Sequence, residues 1–242
     1  MRIVRTRDYD EMSLRAAEIL AAQVVMKPDC VLGLATGSSP VGLYKVLTRW
    51  CDQGRLDFSK VKTVNLDEYR GLAPDHEQSY RWFMNTNLFD HINIDKKNTH
   101  VPDGCASDPE AACKAYDGLI RSLGGQDVQL LGLGQNGHIG FNEPSDSFAV
   151  GTHIVKLTES TIEANKRFFA SRDEVPKEAI TMGVGNILQA KKIVLVANGK
   201  AKAKAVADAF FGPVTPKVPA SVLQLHPDVI VICDEDALSL VP

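Results

Sequence analysis

Short apolar runs and helix-length amphipathic segments take turns along this chain, and that alternation limits the folds open to it. RIVR (2–5), CVLGLA (30–35), VKTVNL (61–66), DVQLLGLG (127–134), HIVKL (153–157), KIVLVAN (192–198) and DVIVIC (228–233) read as strands. Residues 8–25, 40–54, 79–92, 108–124, 161–170 and 202–211 read as helices between them. The first carries apolar residues at helical spacing, at Met12, Leu14, Ala17, Ile19 and Leu20. Residues 108–124 place Pro109 in their first turn and glycine after their last, as helices prefer. Strands alternating with helices imply an α/β fold: a doubly wound, mostly parallel sheet with helices on both faces, Rossmann-like in outline. No internal repeat, low-complexity tract or long linker interrupts the pattern, so residues 1–242 are expected to form a single domain.

Composition narrows the function. Twenty-seven Lys and Arg against 30 Asp and Glu leave a net charge of -3. That gives no electrostatic case for nucleic acid or an anionic membrane surface. No apolar run approaches the roughly 20 residues of a membrane span, and the first residues lack the apolar core of a secretory signal. Five scattered cysteines (Cys30, Cys51, Cys105, Cys113 and Cys233) contain no CxxC pair. They read neither as a disulfide framework nor as a zinc site, and the expected compartment is a reducing cytoplasm.

In open α/β sheets, ligands bind beyond the carboxyl ends of the strands. Four such ends carry unusual residues. In ATGSSP (35–40), Thr36, Gly37, Ser38 and Ser39 join a strand to a helix. Hydroxyls and amide N–H groups at a helix N-terminus suit an anion. The same residues also fit a plain cap, with Ser39 capping and Pro40 opening the helix. Neither a P-loop nor a dinucleotide fingerprint is present. NLDEY (65–69) sets Asp67 and Glu68 directly after an apolar strand, as a general base, a metal ligand, a helix cap or a solvated acidic turn. NGKAK (198–202) puts Lys200 and Lys202 at a helix start, where the dipole disfavours cations and an anion would relieve them. LLGLGQNGHIGFNEP (130–144) ends a buried strand in glycines and exposes His138, with Asn136 and Glu143 close by. Together these ends point to an anionic ligand.

LGLATGSSP, TVNLDEY, GLGQNGHIGFNEP, ANKRFF, TMGVG and GKAKA, in that order, resemble the glucosamine-6-phosphate deaminase family along essentially the whole chain. The related 6-phosphogluconolactonases share the fold and a glycine-histidine loop, but normally do not continue with FNEP. The resemblance implies cofactor-free, metal-free conversion of glucosamine 6-phosphate and water to fructose 6-phosphate and ammonia. His138 would shuttle the ring-opening proton, oriented by Glu143, and Asp67 would take the C2 proton. Residues 36–39, Arg167 and Lys202 would hold the phosphate. The Gly-x-x-Lys-Ala pattern, met here by Gly199 to Ala203, selects Lys202 over Lys200. Residues 145–176 would be a mobile lid.

Three departures from the family pattern bear on this. Asn136 stands where the larger bacterial branch has aspartate, so a fully acidic set around His138 is excluded, and contact with the ring would lower its basicity modestly. Ser38 replaces a frequent glycine, and must point away from the phosphate or join it. The chain stops at Pro242, shorter than the regulated hexamers. The stretch SDSFAVGTHIVKL (145–157) offers His153 and Lys156 but no arginine, and Asp146 would repel a phosphate. A monomer or small homo-oligomer without allosteric activation is expected. The rivals are a lactonase, which would not need Asp67 as a carbon base, and a non-catalytic sugar-phosphate sensor. Sensors of this fold usually carry a helix-turn-helix, whereas this N-terminus enters the sheet directly.

Overall fold

The computed structural model describes residues 1–241. Its main sheet has seven strands, all parallel, in the order β1-β10-β9-β6-β2-β3-β5. These are β1 (Arg2–Thr6), β2 (Val31–Leu34), β3 (Lys62–Asn65), β5 (Thr99–His100), β6 (Val128–Gly132), β9 (Ile193–Ala197) and β10 (Val229–Asp234). The inner strands are buried along nearly their full length, which is why they read as continuous apolar runs rather than alternating ones.

The helices are α1 (Tyr9–Met26), α2 (Val41–Asp52), α3 (Tyr80–Asn87), α4 (Pro109–Ser122), α5 (Glu159–Asn165), α6 (Val184–Leu188) and α7 (Ala203–Phe211). From β2 the chain steps outward through β3 to β5. From β6 it steps the opposite way, through β9 to β10. Right-handed crossovers therefore send the two series of helices to opposite faces. β2 and β6 are neighbours at the reversal, and the crevice beyond their carboxyl ends is the place such a sheet offers a ligand.

A second sheet was not foreseen. β4 (Asp67–Tyr69), β8 (Glu178–Thr181) and β7 (His153–Lys156) form a three-stranded antiparallel sheet in the order β4-β8-β7. HIVKL is thus a strand, as read, but it lies outside the parallel sheet. Its residues are only partly buried, unlike those of the parallel core. Asp67 is not merely after a strand; it opens β4, opposite Thr181. A small apolar cluster of Tyr69, Phe141, Leu157, Ile162, Val175 and Ala179 sits beneath this second sheet, apart from the main core.

Caps are distributed unevenly. Asp8, Ser79, Asp108 and Thr158 each accept an N–H in the first turn of α1, α3, α4 and α5. The N-termini of α2 and α7, which border the crevice, have no side-chain cap. The capping role considered for Ser39 is therefore not realised. Pro40 occupies the cap position of α2, and the Ser39 hydroxyl instead donates to Asn198 Oδ1 at 2.9 Å. The helix expected over 161–170 starts earlier, at Glu159, and ends at Asn165, giving way to a 3₁₀ turn over Lys166–Phe168. Among the described residues, no helix is long and apolar enough to cross a membrane.

Candidate active site

A cavity of about 660 Å³ opens over the crevice. It gathers residues from every strand end singled out in the sequence: Thr36, Gly37, Ser38 and Ser39 after β2, Asp67 on β4, Asn136 and His138 after β6, and Lys202 after β9. Arg167, from the turn after α5, lines it as well. Lys200 does not, and lies exposed.

One end of the cavity suits an anion. Gly37 takes φ 95°, a conformation that favours glycine, and so turns the chain ahead of α2. The cap residue of α2, Pro40, offers no side-chain bond, and of the opening amides Gly42 N is taken by the Tyr9 hydroxyl, so the helix start is only partly satisfied and still favours an anion. Ser38 is exposed, and its carbonyl accepts from the Tyr9 hydroxyl at 3.0 Å; the same hydroxyl accepts from Gly42 N at 2.7 Å. Tyr9 therefore clamps the loop from outside. Ser39 ties it to Asn198, on the loop that carries Lys202. That second loop is set by Asp234, whose two carboxylate oxygens accept from Gly199 N at 2.9 Å each. Lys202 is partly buried. Desolvation, then the nearby positive charge of Arg167, holds its ammonium below the ordinary lysine value. Two cations converging in a partly desolvated place favour a doubly charged anion between them.

The other end carries acid–base groups. His138 follows the turn after β6, and its ring rests on Gly134; a Cβ there would come within 2.4–2.6 Å of three ring atoms. Any larger residue at position 134 would displace the imidazole. His138 Nδ1 is 3.3 Å from Glu143 Oε2. The same oxygen accepts from Asn136 Nδ2 at 2.6 Å, and Asn136 Oδ1 accepts from His138 N at 3.2 Å. Asn136 therefore holds the carboxylate and the backbone of the histidine, not its ring. Glu143 Oε1 accepts from the hydroxyls of Thr161 and Thr158, at the start of α5. Burial pushes the Glu143 carboxyl upward, but the bonds and charge of His138, with those of Thr161 and Asn136, bring it below its ordinary value. It stays ionised behind the ring, as an orienting carboxylate must.

Asp67 is 5% exposed and has no hydrogen-bond or ion-pair partner among the described residues. Desolvation, and then the neighbouring charge of Glu68, lift it to about 8. An unpaired buried carboxylate at a cavity wall is costly, and such groups concentrate where catalysis uses them. Around it stands an aromatic wall that the sequence reading missed. Tyr69 and Tyr80 lie 4.8 Å apart between ring centroids, Tyr80 stacks on Phe141 at 5.9 Å, and Phe169 meets Tyr69 edge-on at 5.9 Å. Helical or strand spacing in the sequence gives no hint of this, because the four rings come from four separate segments. Asn165 Nδ2 donates to the Tyr69 hydroxyl at 2.8 Å and so fastens α5 to the wall.

An anion cradle facing a buried carboxylate and a carboxylate-oriented imidazole defines a class: an acid–base enzyme acting on a small phosphorylated molecule. The comparisons are consistent with that class and place the chain within it. The family model described as glucosamine-6-phosphate isomerases/6-phosphogluconolactonase matches residues 7–231, and the chain belongs to that family. A Lachnoclostridium phytofermentans protein named glucosamine-6-phosphate deaminase is 59% identical over 233 residues, covering 96% of this chain and 99% of its own. A Clostridium perfringens protein of the same name is 58% identical over 240 residues, covering 99% of each. A solved monomeric glucosamine-6-phosphate deaminase is 48% identical and superposes with a TM-score of 0.97, covering 99% of this chain and 100% of that one. A 6-phosphogluconolactonase from Thermotoga maritima shares the fold, with a TM-score of 0.75 at 18% identity over 97% of this chain and 99% of its own.

Proposed function

We propose that this protein is an enzyme that converts glucosamine 6-phosphate and water to fructose 6-phosphate and ammonia. The observation that carries this reading is the unpaired, buried Asp67 in the same cavity as the His138–Glu143 pair and the Lys202–Arg167 pair. A lactonase needs a water activated beside a histidine, but has no use for a second, strongly basic carboxylate.

The sugar phosphate binds with its phosphate on the amides and hydroxyls of residues 36–39 and between Lys202 and Arg167. Charge-assisted bonds of this kind are roughly twice as strong as neutral ones. His138 moves a proton between O5 and O1 and opens the ring, with Glu143 steadying the imidazolium. Asp67 then removes the proton from C2. This is a weak carbon acid, so the base must be both strong and fixed in place. The enolamine so formed takes a proton at C1. Water adds to the resulting C2 imine, and the C2–N bond breaks to release ammonia and leave the ketose.

The segment from about 145 to 176 acts as the lid. Its strand β7 is paired with β8, so the part that closes is the stretch from Thr158 onward, which reaches Glu143 through Thr161 and Tyr69 through Asn165. The enzyme works in the cytoplasm, as a monomer or small homo-oligomer, with no resident cofactor. Incubation with glucosamine 6-phosphate should give equal amounts of ammonia and fructose 6-phosphate. Absence of ammonia, together with hydrolysis of 6-phosphogluconolactone, would replace this reading by the lactonase.

A further inference from the structure

Glu68 has no part in the steps above, yet it is 3% exposed and bears the charge that acts on Asp67. Its carboxylate is saturated by backbone. Oε1 accepts from Tyr69 N and from Tyr80 N, both at 2.8 Å, and Oε2 accepts from Arg81 N at 2.9 Å. Tyr80 and Arg81 are the first two residues of α3, and the next amide, of Trp82, goes to the Ser79 hydroxyl at 3.0 Å. The opening amides of α3 are thus shared between its own cap and a side chain of β4. Gly104 packs against this joint, since a Cβ there would meet Tyr69 O at 2.1 Å and the Glu68 side chain at 3.1 Å.

We propose that Glu68 is a positioning residue for the C2 base: its carboxylate locks β4 onto the first turn of α3, and so fixes Asp67 and Tyr80 at the cavity wall and sets a second carboxylate beside Asp67. This rests on the deaminase reading of the site. Two observations separate the role from that of a plain helix cap. The cap position of α3 is already filled by Ser79. The residues Glu68 joins, Tyr69 and Tyr80, are themselves lining residues of the cavity, and the Asp67 charge acts on both their hydroxyls.

The charges around the pair are few. From α3, Arg81 faces Glu68, its guanidinium held by Thr99 Oγ1 at 2.8 Å and Thr99 O at 2.9 Å. His100 on β5 and Tyr116 on α4 face the same guanidinium, and the Tyr69 and Tyr80 hydroxyls complete the set. Burial pushes Glu68 up to about 7, while the three amides and Arg81 oppose that rise. Above that pH its charge makes Asp67 the harder of the two to ionise and the stronger base.

The experiment compares the pH dependence of ammonia release by the parent, Glu68→Gln, Glu68→Asp and Arg81→Met. Glu68→Gln keeps the shape, removes the charge and sets an amide NH₂ against Arg81 N. It should lower kcat by about tenfold or more, short of the full 10²–10⁴ expected for loss of the general base itself. KM should stay within about threefold, and the acid limb of kcat/KM should move to lower pH. Glu68→Asp keeps the charge but falls short of α3, so kcat should fall while the limb stays. Arg81→Met leaves the carboxylate and its three amides intact but removes the charge that favours ionised Glu68, so Glu68 is less charged near neutral pH and the limb should again move to lower pH, by less than in Glu68→Gln. That arm decides the matter if a Glu68 variant does not fold. Acid limbs that coincide in the parent, Glu68→Gln and Arg81→Met would overturn the proposal. A parent that releases no ammonia would instead overturn the deaminase reading.

Discussion

The two ends of the cavity are built on opposite principles. The anion end is made of backbone and long cations. It comprises a helix start with no cap from its own cap residue, a glycine turn at φ 95°, and Lys202 and Arg167 reaching in from separate loops. The reacting end is made of short, buried acidic groups, Glu143 fixed by its neighbours and the Asp67 carboxylate left unpaired among the described residues. Asn136, Thr158 and Thr161 hold Glu143, while the Asp67 carboxylate has no hydrogen-bond or ion-pair partner among the described residues. The anion end gains its strength only when ligand arrives. The reacting end carries a standing cost whether or not ligand is present, and that difference separates their mutational signatures.

Asp67→Asn should show the largest effect. Turnover should fall by about 10²–10⁴, the usual contribution of a general base, with little change in KM. The same variant should be more stable than the parent. A carboxyl raised to about 8 binds its proton more tightly folded than unfolded. Its contribution to stability is present below the ordinary carboxylate range and is lost as pH rises towards 8. The amide does not ionise, so the gain should be greatest above pH 8. A gain of ~1 kcal/mol corresponds to about 2–4 °C in Tm for a chain of this length, read by thermal melts at pH 5 and pH 9. A larger gain at pH 5 would reverse the sign of the argument.

Lys202→Ala and Arg167→Ala should come next. Each should weaken binding of the sugar phosphate by about 2–5 kcal/mol where the charge pair is desolvated, chiefly in KM. Lys200→Ala is the control. Its side chain is exposed and outside the cavity, so steady-state KM should change by no more than ~0.5 kcal/mol. Equal effects at the two lysines would remove the distinction between them.

Thr161→Val tests the link between α5 and the reacting end. It deletes one hydroxyl bond to Glu143, and should cost ~0.5–1.5 kcal/mol in kcat/KM. The smallest expected effect is none at all. N-acetylglucosamine 6-phosphate should leave the rate curve hyperbolic and unchanged. In the stretch 145–157, which holds no arginine, Asp146 is paired with Lys217 at 2.6 Å. A sigmoidal curve made hyperbolic by that compound would reveal a second site.

Most of the frame was legible because the parallel strands are buried on both faces and read as unbroken apolar runs. Glycine and proline punctuation marked their ends, and it was those ends that carried Thr36, Asp67, His138 and Lys202. The antiparallel sheet was not legible in the same way. DEY is three residues long, and EAIT follows a proline and a lysine with no alternation to announce it. Its pairing is set by tertiary contact under β7, not by local pattern. The same limit hid Asn198, Asp234 and Tyr9, which act by reaching across 29 residues or more of sequence. Ser39 illustrates the converse. Local rules favoured a cap, but the nearby Asn198 offered its hydroxyl a better use, and α2 was left open towards the ligand. Asp67 could be picked out as a carboxylate at a strand end, whereas its isolation and raised basicity follow from burial that only the folded chain defines.

The division between the two ends can be tested in one set of assays. Initial rates of ammonia release from glucosamine 6-phosphate, measured side by side for the parent, Asp67→Asn and Lys202→Ala, give kcat and KM for each. The account predicts that Asp67→Asn loses kcat by at least ~10² with KM within about threefold. It predicts that Lys202→Ala raises KM by ~30-fold or more with kcat largely kept. Loss of kcat to the same degree in both variants, or near-normal turnover by a folded Asp67→Asn enzyme, would contradict it.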